Sequence, residues 1–310
     1  WQRVASDRLE MIMELEADRM INLVLAEEVV LSERDVILEE RRSRVEQEAG
    51  GVLGEQLNAA TWLSHPYRNP VIGWEHDIRG LTRENALEFY RRWYAPNNAV
   101  LVIAGDVTAD VVRKLAEKTY GQIPARPVPA RARLAEPEQK AARRLELKDA
   151  RVKQASLSRR YVAPSYVASD KHAVAALEVA AEVLGGGSTG RIFRNLVVEQ
   201  KIATSAGAFY SPSAINLALF GMSVTPRAGV SVVEAEAALD TFLRDLAANG
   251  VTADEVERAK QRMIDSSIFA MDNTQTVARM YASVVALGLP DKNELGWRWR
   301  AGAEHRRPRG

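Results

Sequence analysis

The stretch of sequence that decides the fold is Glu33-Arg34-Asp35-Val36-Ile37-Leu38-Glu39-Glu40. Glu33 and Glu40 are seven residues apart, so on an α-helix they lie about 20° apart around the axis and ~10 Å along it. Val36 and Ile37 lie between them on the same face. An acidic pair that flanks an apolar pair is expected to face something other than bulk water.

Two interpretations of this helix face remain open. One carboxylate could bind a metal ion while the other tunes the site from behind it. The alternative is a solvent-exposed acidic face whose carboxylates pair with neighbouring arginines on the same helix. Those arginines are Arg34, Arg41 and Arg42.

The sequence around the acidic stretch predicts mainly helix. Ser32 is the expected N-cap of the helix that carries the stretch, because acidic residues follow it in the first turn. Gly50, Gly51 and Gly54 are expected to interrupt that helix. The predicted elements of this half are helices over 6–29, 33–60, 83–94 (capped by Thr82) and 109–120, and a buried strand over 99–104.

A stretch rich in proline and arginine at 124–144 predicts an interdomain linker between residues 1–123 and 145–290. The second half predicts strands over 145–162 and 203–224, and helices over 168–184, 191–200, 230–248, 252–271 and 274–286. This order of strands and helices indicates an α+β protein. Residues 291–310 are rich in arginine and lack periodicity, which predicts an irregular tail.

The composition excludes several classes of protein. Lys plus Arg total 42 and Asp plus Glu total 41, a balance that argues against a dedicated nucleic-acid-binding protein. No uninterrupted apolar run approaches ~18 residues, so no transmembrane segment is predicted. The chain has no cysteine, which removes disulfides, cysteine-ligated metals and cysteine catalysis.

An ordered set of motifs resembles the insulinase/pitrilysin family of zinc metallopeptidases (M16), which includes mitochondrial processing peptidase and its bacterial relatives. The resemblance spans roughly residues 1–290 and implies two homologous α/β-sandwich domains, the first of them incomplete. The motifs are Glu33–Glu40, His65-Pro66-Tyr67, Pro70–Gly73, Arg92–Asn98, Val102–Val107 and Leu184–Arg191.

The resemblance implies a role for each acidic residue. Glu40 matches the glutamate that completes the family's zinc site, and Glu33 matches the catalytic-site acid that supports it seven residues earlier. Glu39 is a rival for the ligand role, but it points about 100° away from Glu40. In the family, a zinc-polarised water attacks the scissile carbonyl and an upstream glutamate takes the proton.

The chain departs from the family in two places. It contains no His-x-x-Glu-His, the family motif that precedes the distal glutamate by roughly 75 residues, and it starts at Trp1. We therefore expect an N-terminally truncated fragment that is inactive alone and holds no zinc. The Arg and Tyr with which many members hold the substrate backbone are replaced here by Val197 and Thr204.

The implied function of the parent protein is a zinc-dependent endopeptidase acting on peptides or unfolded segments. The alternative is a non-catalytic peptide-binding or structural subunit of the same fold. Expected partners are the substrate and a homologous subunit in a homo- or hetero-oligomer, with no nucleic acid. A periplasmic or secreted location is favoured for a bacterial parent, and a cytoplasmic one remains open.

Two further features are interpreted as structural. His65 is expected to be a loop or capping histidine, with metal binding as its alternative. The glycine-rich stretch 185–190 is expected to be a turn between helices, because it lacks the motifs of phosphate-binding loops.

Overall fold

The structure is a computed structural model that describes residues 1–130, 132 and 134–289. The predicted tail at 291–310 lies outside these residues. The described chain divides into two compact units. The first contains Trp1–Glu55, Asn69–Ala132 and Asn273–Ala286, and the second contains Gln56–Arg68 together with most of the chain from 134 to 272.

Helices make up the regular structure of the first unit. They are α1 (Leu9–Asn22), α2 (Glu27–Arg41), α3 (Ala49–Thr61, which ends in the second unit), α4 (Glu75–Arg79), α5 (Arg83–Trp93) and α6 (Ala109–Lys118). The late helix α11 (Thr274–Ala286) also belongs to this unit. Thr82 caps α5 in a capping box with Asn85, as the sequence predicts.

The predicted boundary between the first two helices is wrong. Ser32 lies inside α2, which starts after Ala26 and carries Glu27 and Glu28 in its first turn. Residues 23–26 interrupt the helix without a glycine or proline. There the carbonyl of Leu25 accepts a hydrogen bond of 2.6 Å from Nε of Arg83, so a contact distant in sequence fixes the break.

The predicted glycine interruption is also wrong, since Gly50, Gly51 and Gly54 all lie within α3. The helix instead breaks earlier, at a π-helical turn over Arg42–Glu46. A Cβ on Gly51 would lie 2.6 Å from the carbonyl oxygen of Arg44. Glycine is needed here because α3 packs directly on the backbone of that turn.

The predicted buried strand over 99–104 is not formed. Ala99 has extended dihedral angles, but within the described residues this segment pairs with no other strand. Val100 and Leu101 remain 50% and 47% exposed. An apolar run becomes a strand only when a neighbour supplies the ladder hydrogen bonds, and the described part of the first unit supplies none.

The second unit holds a three-stranded antiparallel sheet, the one sheet among the described residues. Its strands are β1 (Leu157–Ala163), β2 (Ala203–Ser211) and β3 (Ala218–Pro226), in the order β1-β3-β2. Its helices are α7 (Lys171–Gly185), α8 (Arg191–Phe193, continued by a π-helical turn to Glu199), α9 (Val232–Asn249) and α10 (Ala253–Ala270). The α+β prediction is confirmed.

The core of the second unit forms where one face of this sheet meets the helices. Met222 and Val224 of β3 and Leu239 of α9 are buried in one apolar cluster with Ile192 and Leu196. The predicted strand over 145–156 is wrong, because this segment turns at Asp149, whose carboxylate and carbonyl accept from the amides of residues 151 and 152.

Residues 62–67, which come from the first half of the sequence, are tied into the second unit by a network of hydrogen bonds. The carboxylate of Glu136 accepts from three consecutive amides, those of Leu63, Ser64 and His65, at 2.5–3.1 Å. The hydroxyl of Tyr67 accepts from the amide of Ile215 at 2.9 Å. This network anchors the connection at 134–139, a part of the predicted linker.

Candidate functional site

Helix α2 carries both acidic residues that the sequence singled out. Glu33 lies in its second turn and is exposed, and Glu40 lies in its last turn, half-buried. Because one continuous α-helix spans both positions, their seven-residue spacing places the side chains on nearly the same face. Val36 between them is 56% exposed, so this face of α2 is open.

The carboxylate of Glu40 already has a cationic neighbour. Its Oε1 lies 2.7 Å from Nη1 of Arg44, one helical turn further on. Glu39 pairs more loosely with Arg42, at 3.5 Å, and both of those side chains are largely exposed. The expected pairing of an acidic helix face with nearby arginines is therefore present alongside the candidate ligand.

Arg41 differs from the other arginines of this stretch, because it is buried. Its guanidinium donates two hydrogen bonds to the carboxylate of Glu55 on α3, at 2.7 and 3.0 Å. It also donates to the carbonyl of Gly73 at 2.8 Å and lies 3.4 Å from Glu46. The hydrogen bonds to Glu55 raise the pKa of Arg41 above its ordinary value.

The interpretation of Arg41 as a solvated neighbour is therefore wrong. A signal was available in the sequence, since Arg41 follows Ile37 by four residues and Leu38 by three. Those two side chains are themselves partly buried, and residues at such spacing share one helix face. A buried arginine needs an acidic partner, and the sequence does not identify Glu55, fourteen residues away, as that partner.

The described residues fit one ligand of a zinc site, not a whole site. A glutamate carboxylate is an ordinary zinc ligand, and Glu40 is accessible enough to reach an ion. Among the residues that the structure describes, no group of three or more His, Cys, Asp or Glu side chains is placed to hold a metal ion. Any further protein ligands would have to come from residues beyond these.

The two positions at which the resemblance implies a substrate-holding Arg and Tyr lie in the second unit. Val197 lies in the π-helical turn Arg194–Glu199 and packs against the apolar core. Thr204 lies on β2 and is exposed, where its hydroxyl accepts a hydrogen bond of 3.0 Å from Gln154. Neither side chain carries the charge or the phenol that the resemblance implies at these positions.

His65 and the glycine-rich stretch 185–190, both interpreted as structural, pack closely against neighbouring residues. His65 is buried between the rings of Trp62 and Tyr67, and its Nδ1 accepts from the amide of Tyr67 at 3.2 Å. The glycine-rich stretch is a turn between α7 and α8. A Cβ on Gly185 would overlap the backbone of Ala208, so close packing accounts for a glycine there.

A groove of about 500 Å³ lies in the first unit, beside the unpaired segment 99–104. Tyr94 is 43% exposed and stacks on Tyr90 in the wall of this groove. Its apolar lining also includes Met20, Val100, Leu101 and Tyr120.

Within the described residues, none of the helices is long and apolar enough to cross a bilayer.

Curated proteins with related sequences indicate the family of this chain. Zinc protease PqqE of Helicobacter pylori is 25% identical over 286 residues, which cover 90% of this chain and 63% of that protein. The probable mitochondrial-processing peptidase subunit beta of Schizosaccharomyces pombe is 31% identical over 107 residues, 34% of this chain and 23% of that protein. The chain thus spans less than two thirds of the length of either curated relative.

A solved structure shows the same fold. The crystal structure of a protease from Helicobacter pylori superposes with a TM-score of 0.85 at 23% identity, covering 96% of this chain and 71% of that one. The family model described as the peptidase M16 inactive domain matches residues 80–263, more than half of the chain. The chain therefore belongs to the peptidase M16 family, through that inactive domain.

Proposed function

We propose that this chain is part of a zinc-dependent endopeptidase that cleaves peptides or unfolded protein segments. Glu40 would be one zinc ligand, and Glu33 would be the catalytic-site acid that supports it. The observation that carries the proposal is the placement of both carboxylates on one face of α2, in a chain of the peptidase M16 family. Relatives named as zinc proteases support the same activity.

The chain's own residues would contribute charge and orientation to that site. Glu40 would supply an anionic oxygen, after exchanging its ion pair with Arg44 for the metal. Glu33, about two helical turns earlier on the same face of α2, would add negative charge without binding the ion directly. Bound zinc would polarise the scissile carbonyl and a water molecule, and the two histidine ligands that the resemblance implies would come from residues other than the described ones.

Glutamine substitutions in the whole protein test the assignment of Glu40. Glu40→Gln should lower the zinc content measured by elemental analysis and abolish peptide cleavage, because it removes a charged ligand. Glu33→Gln should reduce the rate of cleavage more than the zinc content. Mutation of a residue that supports the ligands from behind typically lowers activity or metal affinity about 10–100-fold. Glu39→Gln is the matched control, and loss of zinc from it with retention by Glu40→Gln would contradict the assignment.

The 310-residue chain by itself should neither cleave peptides nor retain zinc after dialysis. Among the described residues no three His, Cys, Asp or Glu side chains are placed together to hold an ion, and tight zinc binding needs at least three protein ligands. Elemental analysis of the purified chain checks this. One tightly bound zinc per chain would show that the ligand set is different from the one proposed.

The proposed partner is a second M16-type subunit, either another copy or a homologue that carries the missing Arg and Tyr. The exposed apolar residues at 99–104 and the groove beside them favour association, because an unpaired apolar segment can recruit another strand. A relative named as a processing-peptidase subunit is consistent with this. For a bacterial parent protein we also propose a periplasmic or secreted location, which cell fractionation would check.

Light scattering tests whether the unpaired segment drives association. Leu101→Lys should shift the chain towards monomer, since it places a charge on the exposed apolar edge. Leu15→Lys is the matched control, because Leu15 is similarly exposed but lies within helix α1, whose backbone hydrogen bonds are made inside the helix. Equal effects of the two substitutions would exclude segment 99–104 as the association surface.

A further inference from the structure

The end of α2 is fixed by a buried ion pair rather than by continuation of the helix. After Arg41 the backbone enters the π-helical turn Arg42–Glu46, so the regular α-helix ends one residue beyond Glu40. The side chain of Arg41 is only 7% exposed and that of Glu55 is 12% exposed. Both charges are therefore largely removed from water, where only a well-formed pair is tolerated.

The guanidinium of Arg41 joins three segments of the first unit. It binds Glu55 on α3 with two parallel hydrogen bonds, and it binds the carbonyl of Gly73 in the turn before α4. Gly73 has a φ of +92°, a backbone conformation that favours glycine. A planar fork is required for these contacts, and a lysine ammonium cannot reproduce them.

Arg41 is covalently adjacent to Glu40, so whatever fixes its backbone fixes the origin of the Glu40 side chain. Consecutive helical residues point about 100° apart. With Arg41 directed inward onto Glu55, Glu40 is directed to a more exposed face, where its carboxylate lies beside Arg44. The direction of Glu40 therefore depends on the pair formed by its neighbour.

We infer that Arg41, held by Glu55, is a positioning residue for the carboxylate of Glu40. This inference rests on the proposed function, because it assigns the pair a role in presenting a metal ligand. The competing explanation is an ion pair that stabilises the fold and has no effect on the site. The two explanations differ in whether zinc affinity falls further than stability alone requires.

The experiment uses the whole protein and measures zinc affinity by chelator competition together with the melting temperature. Glu55→Gln should weaken zinc binding about 10–100-fold, the range typical of residues that orient a ligand. Arg41→Lys keeps the charge but loses the fork, so it should cause a smaller loss.

The matched control is the ion pair of Arg159 with Asp240, which lies in the second unit at 2.6 Å. Asp240→Asn should lower the melting temperature without changing zinc affinity. Unchanged zinc affinity in both Glu55→Gln and Arg41→Lys would overturn the inference alone. A wild-type whole protein that binds no zinc would overturn the proposed function and this inference with it.

Discussion

Two runs of the chain are rich in apolar residues but have different structures. Residues 218–226 form β3, which pairs with β1 on one side and with β2 on the other. Residues 99–104 are at least as apolar, but they pair with no strand in the described part of the first unit. Val224 is fully buried in the first case, and Val100 is half exposed in the second. The difference shows that strand-forming residues make a strand only where neighbours complete the ladder.

The largest expected difference between the two runs comes from placing a charge in each. Val224→Asp should destabilise the second unit by more than about 4 kcal/mol, because it buries an unpaired carboxylate. Val100→Asp should change stability by less than about 0.5 kcal/mol, since its side chain remains in contact with water. Urea unfolding followed by circular dichroism measures both. Comparable losses would mean that segment 99–104 is as well packed as β3.

A smaller effect is expected where residues 62–67 are anchored in the second unit. Glu136→Gln should cost about 1–3 kcal/mol, because three amide donors lose a charged acceptor. Hydrogen exchange at Leu63, Ser64 and His65 should become faster. Glu138→Gln, two residues further along the same connection and exposed, is the control and should leave these amides protected.

The same anchor should depend on pH. Burial alone would raise the pKa of Glu136, but its backbone hydrogen bonds with 63–65 outweigh this and hold the pKa below its ordinary value of 4.5. A carboxylate with a lowered pKa in the folded state stabilises the protein above its unfolded pKa. Protection of the three amides should therefore persist at neutral pH and be lost as the pH falls below 4.5. Protection that survives full protonation would assign it to other contacts.

The smallest effect is expected at a feature that the two units share, a threonine that caps a helix. Thr82 in the first unit and Thr252 in the second both close capping boxes, with Asn85 and Glu255 respectively. Replacing either threonine by alanine should cost about 1 kcal/mol. Denaturant midpoints of the two variants check this. A much larger loss at Thr82 would show that α5 depends on its cap more than the packed helix α10 does.

The sequence predicts most of the second unit because its signals are local. The helices expected over 230–248 and 252–271 form within a few residues of those bounds, and the two strands expected over 203–224 form with a turn after Ser211. Their caps and periodicity depend on residues no more than four positions apart. The α-helix that carries Glu33 and Glu40 is likewise predicted, although its start is displaced by six residues.

The features that the sequence does not predict depend on contacts between distant residues. The break before α2 follows from Arg83 binding Leu25, and the burial of Arg41 follows from Glu55 on the next helix. Residues 56–68 join the second unit although they precede the proline-rich connection. No local pattern encodes these pairings, because each requires two segments to meet after they have folded.

By itself, the sequence determined the α+β class, the helix that carries the acidic pair and the family resemblance, since these depend on spacing, caps and the order of motifs. Only the tertiary structure decided that residues 99–104 pair with no strand in the described part of the chain, that Arg41 is buried and that Glu40 lies beside Arg44. The physical reason is that burial, ladder hydrogen bonds and ion pairs depend on which surfaces meet. An apolar segment forms a strand, and a charged side chain forms an ion pair, only where the fold places a partner beside it.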